Sequence, residues 1–178
     1  MTLPALTLIL GGARSGKSRH AEALVTAEAG PWRYVATGQA FDAEMEERIA
    51  LHRERRGQGW STVEAPIELP QVLRELGRES PGPILVDCLT LWVTNLLLGE
   101  HDIPAAAAHL ERALEANRAP VVLVSNEVGL GIVPENKLAR RFRDEAGRLH
   151  QRLASRADRV LFVVAGVPMV VKEAGPQP

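Results

Sequence analysis

A chain of 178 residues, 46% of them apolar, is long enough to form one domain with a substantial buried core. The formal net charge of −1 excludes a general basic field, so we expect no nucleic-acid partner and no electrostatic attachment to a membrane. A lone cysteine, Cys88, excludes an internal disulfide framework and favours a reducing, cytoplasmic location.

The first predicted elements are a strand, a glycine-rich loop and a helix. Residues 3–10 are apolar without a basic leader, which predicts a core strand and no signal peptide, and no segment is long enough to span a bilayer. Residues 11–18, Gly-Gly-Ala-Arg-Ser-Gly-Lys-Ser, have the spacing G-x-x-x-x-G-K-S/T of a phosphate-binding loop, and residues 20–25 favour a helix. We expect Lys17 to reach the β- and γ-phosphates and Ser18 to bind Mg²⁺. A plain turn is the alternative, but the strand-loop-helix context favours a nucleotide.

A second buried strand is predicted over residues 32–37, after the break at Gly30 and Pro31. Ligands of parallel α/β sheets lie beyond the carboxyl ends of the strands. The residues at this end, which are therefore placed to line the site, are Thr37, Gly38 and Gln39. An ordinary exit from strand to loop is an equally open alternative.

A helix is predicted over residues 43–56, with Asp42 as N-cap, acidic residues in its first turn and arginines towards its end. Helical spacing places His52 between Arg48 and the pair Arg55 and Arg56. Nearby positive charge favours the neutral, nucleophilic imidazole, and the arginines could hold phosphate oxygens. The alternative is a solvated bystander, the role that we also predict for His20, His101, His109 and His150.

The middle of the chain is predicted to carry a second acidic site residue. Residues 60–64 look extended, and one helix is expected within 66–83. The apolar run 83–87 ends in Asp87, which is typical of a Walker B strand whose carboxylate contacts the metal directly or through water. Cys88 is predicted to be a small buried residue and not a nucleophile.

The rest of the chain alternates helices and strands. Helices are predicted over 90–98, 105–117 and from Pro134 to about Ala157, and strands over 121–125, 159–165 and 169–172. In the loop 126–134, Asn126 and Glu127 are candidates for ordering metal, water or an acceptor hydroxyl, unless they only cap and turn the chain. We expect one domain over 1–172 and a disordered tail over 173–178.

Assembled, these segments resemble the bifunctional adenosylcobinamide kinase/adenosylcobinamide-phosphate guanylyltransferase family of cobalamin biosynthesis over nearly the whole chain. The resemblance is carried by the phosphate loop, Tyr-Val-Ala-Thr at 34–37, Arg48 and Ile49 with His52, Asp87, and Ser-Asn-Glu-Val-Gly-Leu-Gly-Ile-Val-Pro-Glu at 125–135. The last segment is long and unusual, which makes the resemblance much more specific than a phosphate loop alone.

The resemblance implies two successive reactions. Adenosylcobinamide is first phosphorylated with ATP or GTP, and GMP is then transferred from GTP to that phosphate through a covalent histidine intermediate. By position the histidine is His52, whose neutral imidazole would attack the α-phosphorus and release pyrophosphate. His52 and Lys17 are therefore the expected catalytic residues, and Ser18 and Asp87 the expected Mg²⁺ ligands.

The resemblance also implies an α/β P-loop NTPase fold with a RecA-like, mostly parallel sheet flanked by helices, and a homotrimer whose subunit contacts help to form the sites. The implied nucleotide contacts are Gly11, Gly12, Ala13, Arg14, Ser15, Gly16, Lys17, Ser18, Thr37, Gly38, Gln39, Arg53, Glu54, Arg55, Arg56, Glu64 and Asp87. Two other functions stay open at this point: a monofunctional small-molecule P-loop kinase that does not use His52, and a nucleotide-dependent switch.

Overall fold

The computed structural model describes residues 2–39, 57–79 and 82–173. Within these ranges the chain forms seven strands and five helices. The strands are β1 Leu6–Gly11, β2 Trp32–Ala36, β3 Trp60–Glu64, β4 Ile84–Asp87, β5 Val121–Asn126, β6 Arg159–Val164 and β7 Val167–Glu173. The helices are α1 Lys17–Thr26, α2 Leu69–Glu79, α3 Leu89–Leu98, α4 Ile103–Glu115 and α5 Lys137–Arg156.

The strands form one sheet in the order β3-β2-β4-β5-β1-β6-β7, and all neighbours are parallel except β6 and β7. The phosphate-loop strand β1 therefore lies between β5 and β6, with Gly11 opposite Asn126 in the register. Asp87, at the end of β4, lies opposite Val124 of β5. The carboxyl ends of β1, β4 and β5 consequently meet at one edge of the sheet, where the sequence predicted the site.

Helices cover both faces of the sheet, which is why its central strands are almost entirely apolar. Successive residues of β1 are buried on opposite faces: Leu8 packs in the cluster that contains Leu69 and Leu110, and Ile9 packs with Val25 of α1. All five of these side chains are fully buried. Each contributes about 1.5–3 kcal/mol through burial, so this core holds the phosphate-loop strand rigidly.

The start of the longest helix differs from its prediction. Pro134 was expected to begin it, but α5 starts at Lys137, because Asn136 acts as N-cap. The Asn136 side-chain oxygen accepts from the N–H groups of Leu138 and Ala139 at 2.7 and 3.2 Å. The Asn136 side chain satisfies two N–H groups that would otherwise be free. This cap, and not the preference of proline for the first turn, therefore sets where the helix begins.

The last strand is longer than predicted. Strand β7 pairs antiparallel with β6, and Glu173, which the sequence placed in the tail, is its final residue. Its carboxylate accepts from the Arg159 guanidinium at 2.9 Å. The other residues of the predicted tail, 174–178, and the predicted helix over 43–56 lie outside the described residues. In the part of the chain that is described, no helix has both the length and the apolar character needed to cross a membrane.

Candidate functional site

The phosphate loop, residues 11–18, joins β1 to the first turn of α1. Gly16 is the N-cap of α1 with φ +92°, and no side chain caps the helix. The first N–H groups of a helix have no intrahelical acceptor, and the helix dipole adds partial positive charge at this end. The loop therefore presents an anion-binding site of the kind that the sequence predicted.

Lys17 adds a full positive charge to this site. Its side chain is only 8% exposed, and its ammonium donates to the Gly12 carbonyl oxygen at 3.2 Å. A buried ammonium is costly unless it is well paired, so an entering phosphate would gain a strong charge-assisted partner.

The loop also contains a buried hydroxyl group, that of Ser15. Among the residues that the structure describes, the buried Ser15 hydroxyl oxygen has no hydrogen-bond partner. An unsatisfied buried hydroxyl costs about 1–3 kcal/mol. The Ser15 Oγ atom lies on the same side of Gly11 as the Val163 carbonyl oxygen, since a Cβ atom at Gly11 would be 2.6 Å from each of them. Contact of Ser15 with nucleotide stays a prediction.

Neighbouring strands fix the shape of the phosphate loop. The N–H of Glu127 donates to the Gly11 carbonyl at 3.0 Å, and the N–H of Gly166 donates to the Ser15 carbonyl at 2.8 Å. A Cβ atom at Gly11 would lie 2.6 Å from the Val163 carbonyl oxygen, which excludes any larger residue there. The loop is therefore held from β5 on one side and from the β6–β7 turn on the other.

Asp87 and Ser18 supply the oxygen atoms expected for Mg²⁺, and both are half-buried at this edge of the sheet. Strand β4, which ends in Asp87, and strand β1, which leads into the phosphate loop, end at the same edge of the sheet with β5 between them. A carboxylate and a hydroxyl suit Mg²⁺, which binds through one or two protein oxygens together with phosphate and water.

Cys88 is buried and its thiol is unreactive, as predicted. Burial, and secondly the charge of Asp87, raise its pKa to about 11, so the thiol stays protonated near neutral pH. Its Sγ atom lies 3.2 Å from the Thr90 hydroxyl. A protonated thiol is a poor nucleophile, which leaves Cys88 a packing role beside the site.

Thr37 is placed to orient the end of β4. Its fully buried hydroxyl donates to the Cys88 carbonyl at 2.6 Å and accepts from the Cys88 N–H at 2.8 Å. The Thr37 carbonyl accepts from the Asn95 side chain at 2.7 Å. These bonds support a positioning role for the Thr37 side chain. Gly38 is half-buried and Gln39 is exposed, and contact of all three residues with nucleotide stays a prediction.

Of the remaining predicted contacts, only Glu64 is among the residues that the structure describes. Glu64 ends β3, is exposed, and lies opposite Ala36 at the same edge of the sheet. His52, Arg53, Glu54, Arg55 and Arg56 fall in 40–56, outside the described residues, so their roles stay predictions.

The structure corrects the prediction that His150 is a solvated bystander. The side chain is buried on α5, with Nε2 2.7 Å from the Ser125 hydroxyl and Nδ1 3.9 Å from a Glu127 carboxylate oxygen. Burial lowers the pKa of His150, and Glu127 offsets part of that shift. One signal could have revealed the burial: His150 lies four residues after Ala146, on the apolar face of the helix.

The loop after β5 is tied down by its own side chains. The Asn126 amide donates to the Thr90 hydroxyl at 3.0 Å, and one Glu127 carboxylate oxygen accepts from the Gly129 N–H at 2.5 Å. The predicted turning role of these two residues is therefore present. The second carboxylate oxygen of Glu127 faces His150, so the same residue also takes part in a buried polar group.

Comparison with known sequences shows which family the chain matches. The sequence profile of the family described as cobinamide kinase / cobinamide phosphate guanyltransferase matches residues 7–171. The bifunctional adenosylcobalamin biosynthesis protein CobP of Pseudomonas aeruginosa is 52% identical over 168 residues, which cover 93% of this chain and 96% of that protein. The bifunctional adenosylcobalamin biosynthesis protein CobU of Salmonella typhimurium is 46% identical over 183 residues, which cover 94% of this chain and 99% of that protein.

Comparison with solved structures concerns the fold alone. A RadB recombinase is similar with a TM-score of 0.56 at 19% identity, over 90% of this chain and 75% of that chain. A prototypical ATPase of a type III secretion system is similar with a TM-score of 0.52 at 14% identity, over 95% of this chain and 58% of that chain. These likenesses, with the sheet order, confirm the predicted α/β P-loop NTPase fold.

Proposed function

This chain belongs to the cobinamide kinase / cobinamide phosphate guanyltransferase family, and we propose that it catalyses both reactions of that description. It phosphorylates adenosylcobinamide with ATP or GTP, and then transfers GMP from GTP to the new phosphate to give adenosylcobinamide-GDP. The observation that carries this proposal is the phosphate loop with its uncapped helix N-terminus and buried Lys17, beside Asp87 at one edge of the sheet.

In the phosphorylation step the described residues bind and orient the nucleotide. The N–H groups of the loop and the Lys17 ammonium hold the β- and γ-phosphates, which lowers the free energy of the charge that develops during transfer. The hydroxyl of Ser18 and the carboxylate of Asp87 would hold Mg²⁺, because both present oxygen at this edge. Bound Mg²⁺ neutralises charge on the phosphate oxygens.

We assign the guanylyl transfer to His52, on its position in the sequence and the resemblance that this position carries. The neutral imidazole attacks the α-phosphorus of GTP, the bond from that phosphorus to the α–β bridging oxygen breaks, and pyrophosphate leaves. An oxygen of the adenosylcobinamide phosphate then displaces the histidine from the phosphoramidate. The arginines that follow His52 in the sequence, Arg53, Arg55 and Arg56, stabilise the negative charge on the phosphoryl oxygens.

The test is incubation of the purified protein with α-labelled GTP and Mg²⁺, followed by denaturation. We expect label that is labile in acid and stable in base, mapped to His52. The His52→Ala variant should take up no label while it keeps much of the phosphorylation activity, and His101→Ala, which changes an exposed histidine, should behave like the wild type. Absence of label from protein that binds GTP would leave a monofunctional kinase or a nucleotide-dependent switch.

We further propose that the enzyme is a cytoplasmic homotrimer that binds neither nucleic acid nor membrane. Two exposed apolar regions support the assembly. On the last strand the exposed residues are Val167, Met169, Val170 and Val171, and in the loop after β5 they are Leu130, Ile132 and Val133. Since the second region follows Glu127, a subunit contact there would lie beside the phosphate loop and help to form the site.

A further inference from the structure

The backbone of Glu127 lies directly against the phosphate loop, and this residue carries a carboxylate. Its backbone N–H donates to the Gly11 carbonyl, and the preceding residue, Asn126, is the register partner of Gly11. Glu64 is at the same edge of the sheet, but three strands separate β3 from β1. At about 4.8 Å per strand this puts Glu64 about 19 Å away from the loop.

The orientation of the Glu127 carboxylate is set from two sides. One oxygen accepts from the Gly129 N–H at 2.5 Å, and the other lies 3.9 Å from His150 Nδ1. The side chain of Glu127 is 21% exposed, whereas that of His150 is 8% exposed. The carboxylate is therefore half-buried, with a buried imidazole on one side of it.

The contacts of His150 decide which ring nitrogen carries the proton. Its Nε2 is 2.7 Å from the fully buried Ser125 hydroxyl, which can either donate or accept. If Nε2 held the proton, the lone pair of Nδ1 would face a carboxylate oxygen, which is repulsive. The favourable arrangement has Ser125 donating to Nε2 and the Nδ1 proton pointing at Glu127. Burial lowers the pKa of His150, so the ring is neutral and this choice of tautomer matters.

We propose that Glu127 is the general base of the phosphorylation step and that His150, whose Nδ1 proton faces that carboxylate while Ser125 donates to Nε2, is the residue that positions it. In this step the acceptor hydroxyl oxygen bonds to the γ-phosphorus as the bond from that phosphorus to the β–γ bridging oxygen breaks. The electron pair of that bond leaves with the nucleoside diphosphate, and the hydroxyl proton passes to the Glu127 carboxylate. Nδ1 lies 3.9 Å from the carboxylate, and we expect this separation to shorten to a hydrogen bond when substrate binds. The inference rests on the proposed kinase activity.

The first test replaces the base without changing its shape. In Glu127→Gln we expect kcat for phosphorylation of adenosylcobinamide to fall about 100-fold or more, with the KM for ATP changed little. Labelling of the protein by α-labelled GTP should continue, because attack of imidazole on the α-phosphorus moves no hydroxyl proton. Phosphorylation within threefold of the wild type, or equal loss of both reactions, would overturn the assignment. Equal loss would make Glu127 a shared binding residue.

The second test separates the two nitrogens of His150. In His150→Asn the amide N–H takes the place of Nδ1–H and still reaches towards Glu127, whereas in His150→Gln it takes the place of Nε2 and reaches towards Ser125. We expect kcat for phosphorylation to fall about 10- to 100-fold in the Gln variant and to be largely rescued in the Asn variant. Each variant removes one buried contact, so their thermal stabilities should be similar and cannot account for the difference.

Equal activities of the Asn and Gln variants would show that His150 has only a structural role and would overturn its part in the proposal. The activity of the wild-type protein distinguishes a failure of the proposed function from a failure of the assignment of Glu127. A wild-type protein that does not phosphorylate adenosylcobinamide contradicts the proposed function and this inference together. A wild type that is active, with an equally active Glu127→Gln variant, contradicts this inference alone.

Discussion

The backbone N–H of Gly166 donates to the carbonyl oxygen of Ser15 at 2.8 Å, so the turn between β6 and β7 is fastened to the phosphate loop. The contact is close, because a Cβ atom on Gly16 would lie 3.2 Å from the Cα atom of Gly166. The shape of the nucleotide site therefore depends on a turn that is about 150 residues further along the chain and that carries no phosphate-binding motif of its own.

A substitution at this turn should loosen the site. Gly166 has φ +81°, and a Cβ atom there would meet nothing within 4 Å, so Gly166→Ala costs only backbone strain. We expect the free energy of unfolding to fall by about 1–2 kcal/mol and nucleotide affinity to fall with it. Urea unfolding and calorimetric titration with GTP measure the two effects. Gly147→Ala, in α5 and also in open space, is the control and should be neutral or stabilising.

Lys17→Met should separate nucleotide binding from folding. Methionine keeps most of the aliphatic length but removes the charge that pairs with phosphate. The loss of a hydrogen bond from a charged donor, about 1.5–3 kcal/mol, corresponds to a Kd for GTP about 10- to 100-fold higher. Arg19→Met, which removes an exposed positive charge from the same helix, is the control. Equal weakening in both variants would mean that the general positive charge matters and the position of Lys17 does not.

Thr37→Val should destabilise the protein more than its small size suggests. The hydroxyl of Thr37 bonds both the N–H and the carbonyl of Cys88. Valine of the same shape leaves the N–H unpaired, while the carbonyl keeps its bond from the Trp92 N–H at 3.2 Å. An unsatisfied buried group costs about 1–3 kcal/mol, so we expect a loss of about that size in the free energy of unfolding. The same change at Thr62, which is exposed on the neighbouring strand β3, should cost little. Equal losses from the two variants would contradict the role assigned to Thr37.

His150 should make stability depend on pH. Burial lowers its pKa from the ordinary value of 6.5, so the unfolded chain takes up a proton at a higher pH than the folded chain does. This contribution to stability is complete above about pH 6.5 and is lost as the pH falls towards the folded-state pKa, with a slope of at most about 1.4 kcal/mol per pH unit. Urea unfolding at about pH 7.5 and about pH 5.5 should show a smaller difference in His150→Gln. The same difference in both proteins would contradict the prediction.

A charge on the last strand should disrupt the proposed trimer. Val170 is 63% exposed on β7, at an edge of the sheet where its apolar surface is uncovered within this chain. Val170→Asp would bury a charge in a subunit contact, so we expect the mass from light scattering to fall from trimer to monomer. Ala105→Asp, at an exposed position in the first turn of α4, should leave the mass unchanged. A wild-type monomer would contradict the assembly itself.

Most of the fold could be predicted from local patterns. The apolar run of β5 and the run that ends in Asp87 were placed correctly, because buried parallel strands are apolar at consecutive positions. The beginning of α5 was wrong, because Pro134 and Asn136 both favour a helix start and only the geometry of the cap decides between them. Even there, the helix itself was predicted, and only its first residue is wrong, by three positions.

The sequence by itself determined the nucleotide site, because the phosphate loop is contiguous and its spacing alone specifies where backbone N–H groups, Lys17 and Ser18 must lie. Tertiary structure alone decided the surroundings of Glu127. Ser125 and His150 are 25 residues apart, on β5 and α5, and nothing in either neighbourhood identifies them as partners. Their meeting depends on how α5 packs against the sheet. Packing is the sum of many apolar contacts made by residues distant in sequence, which no local pattern of residues records.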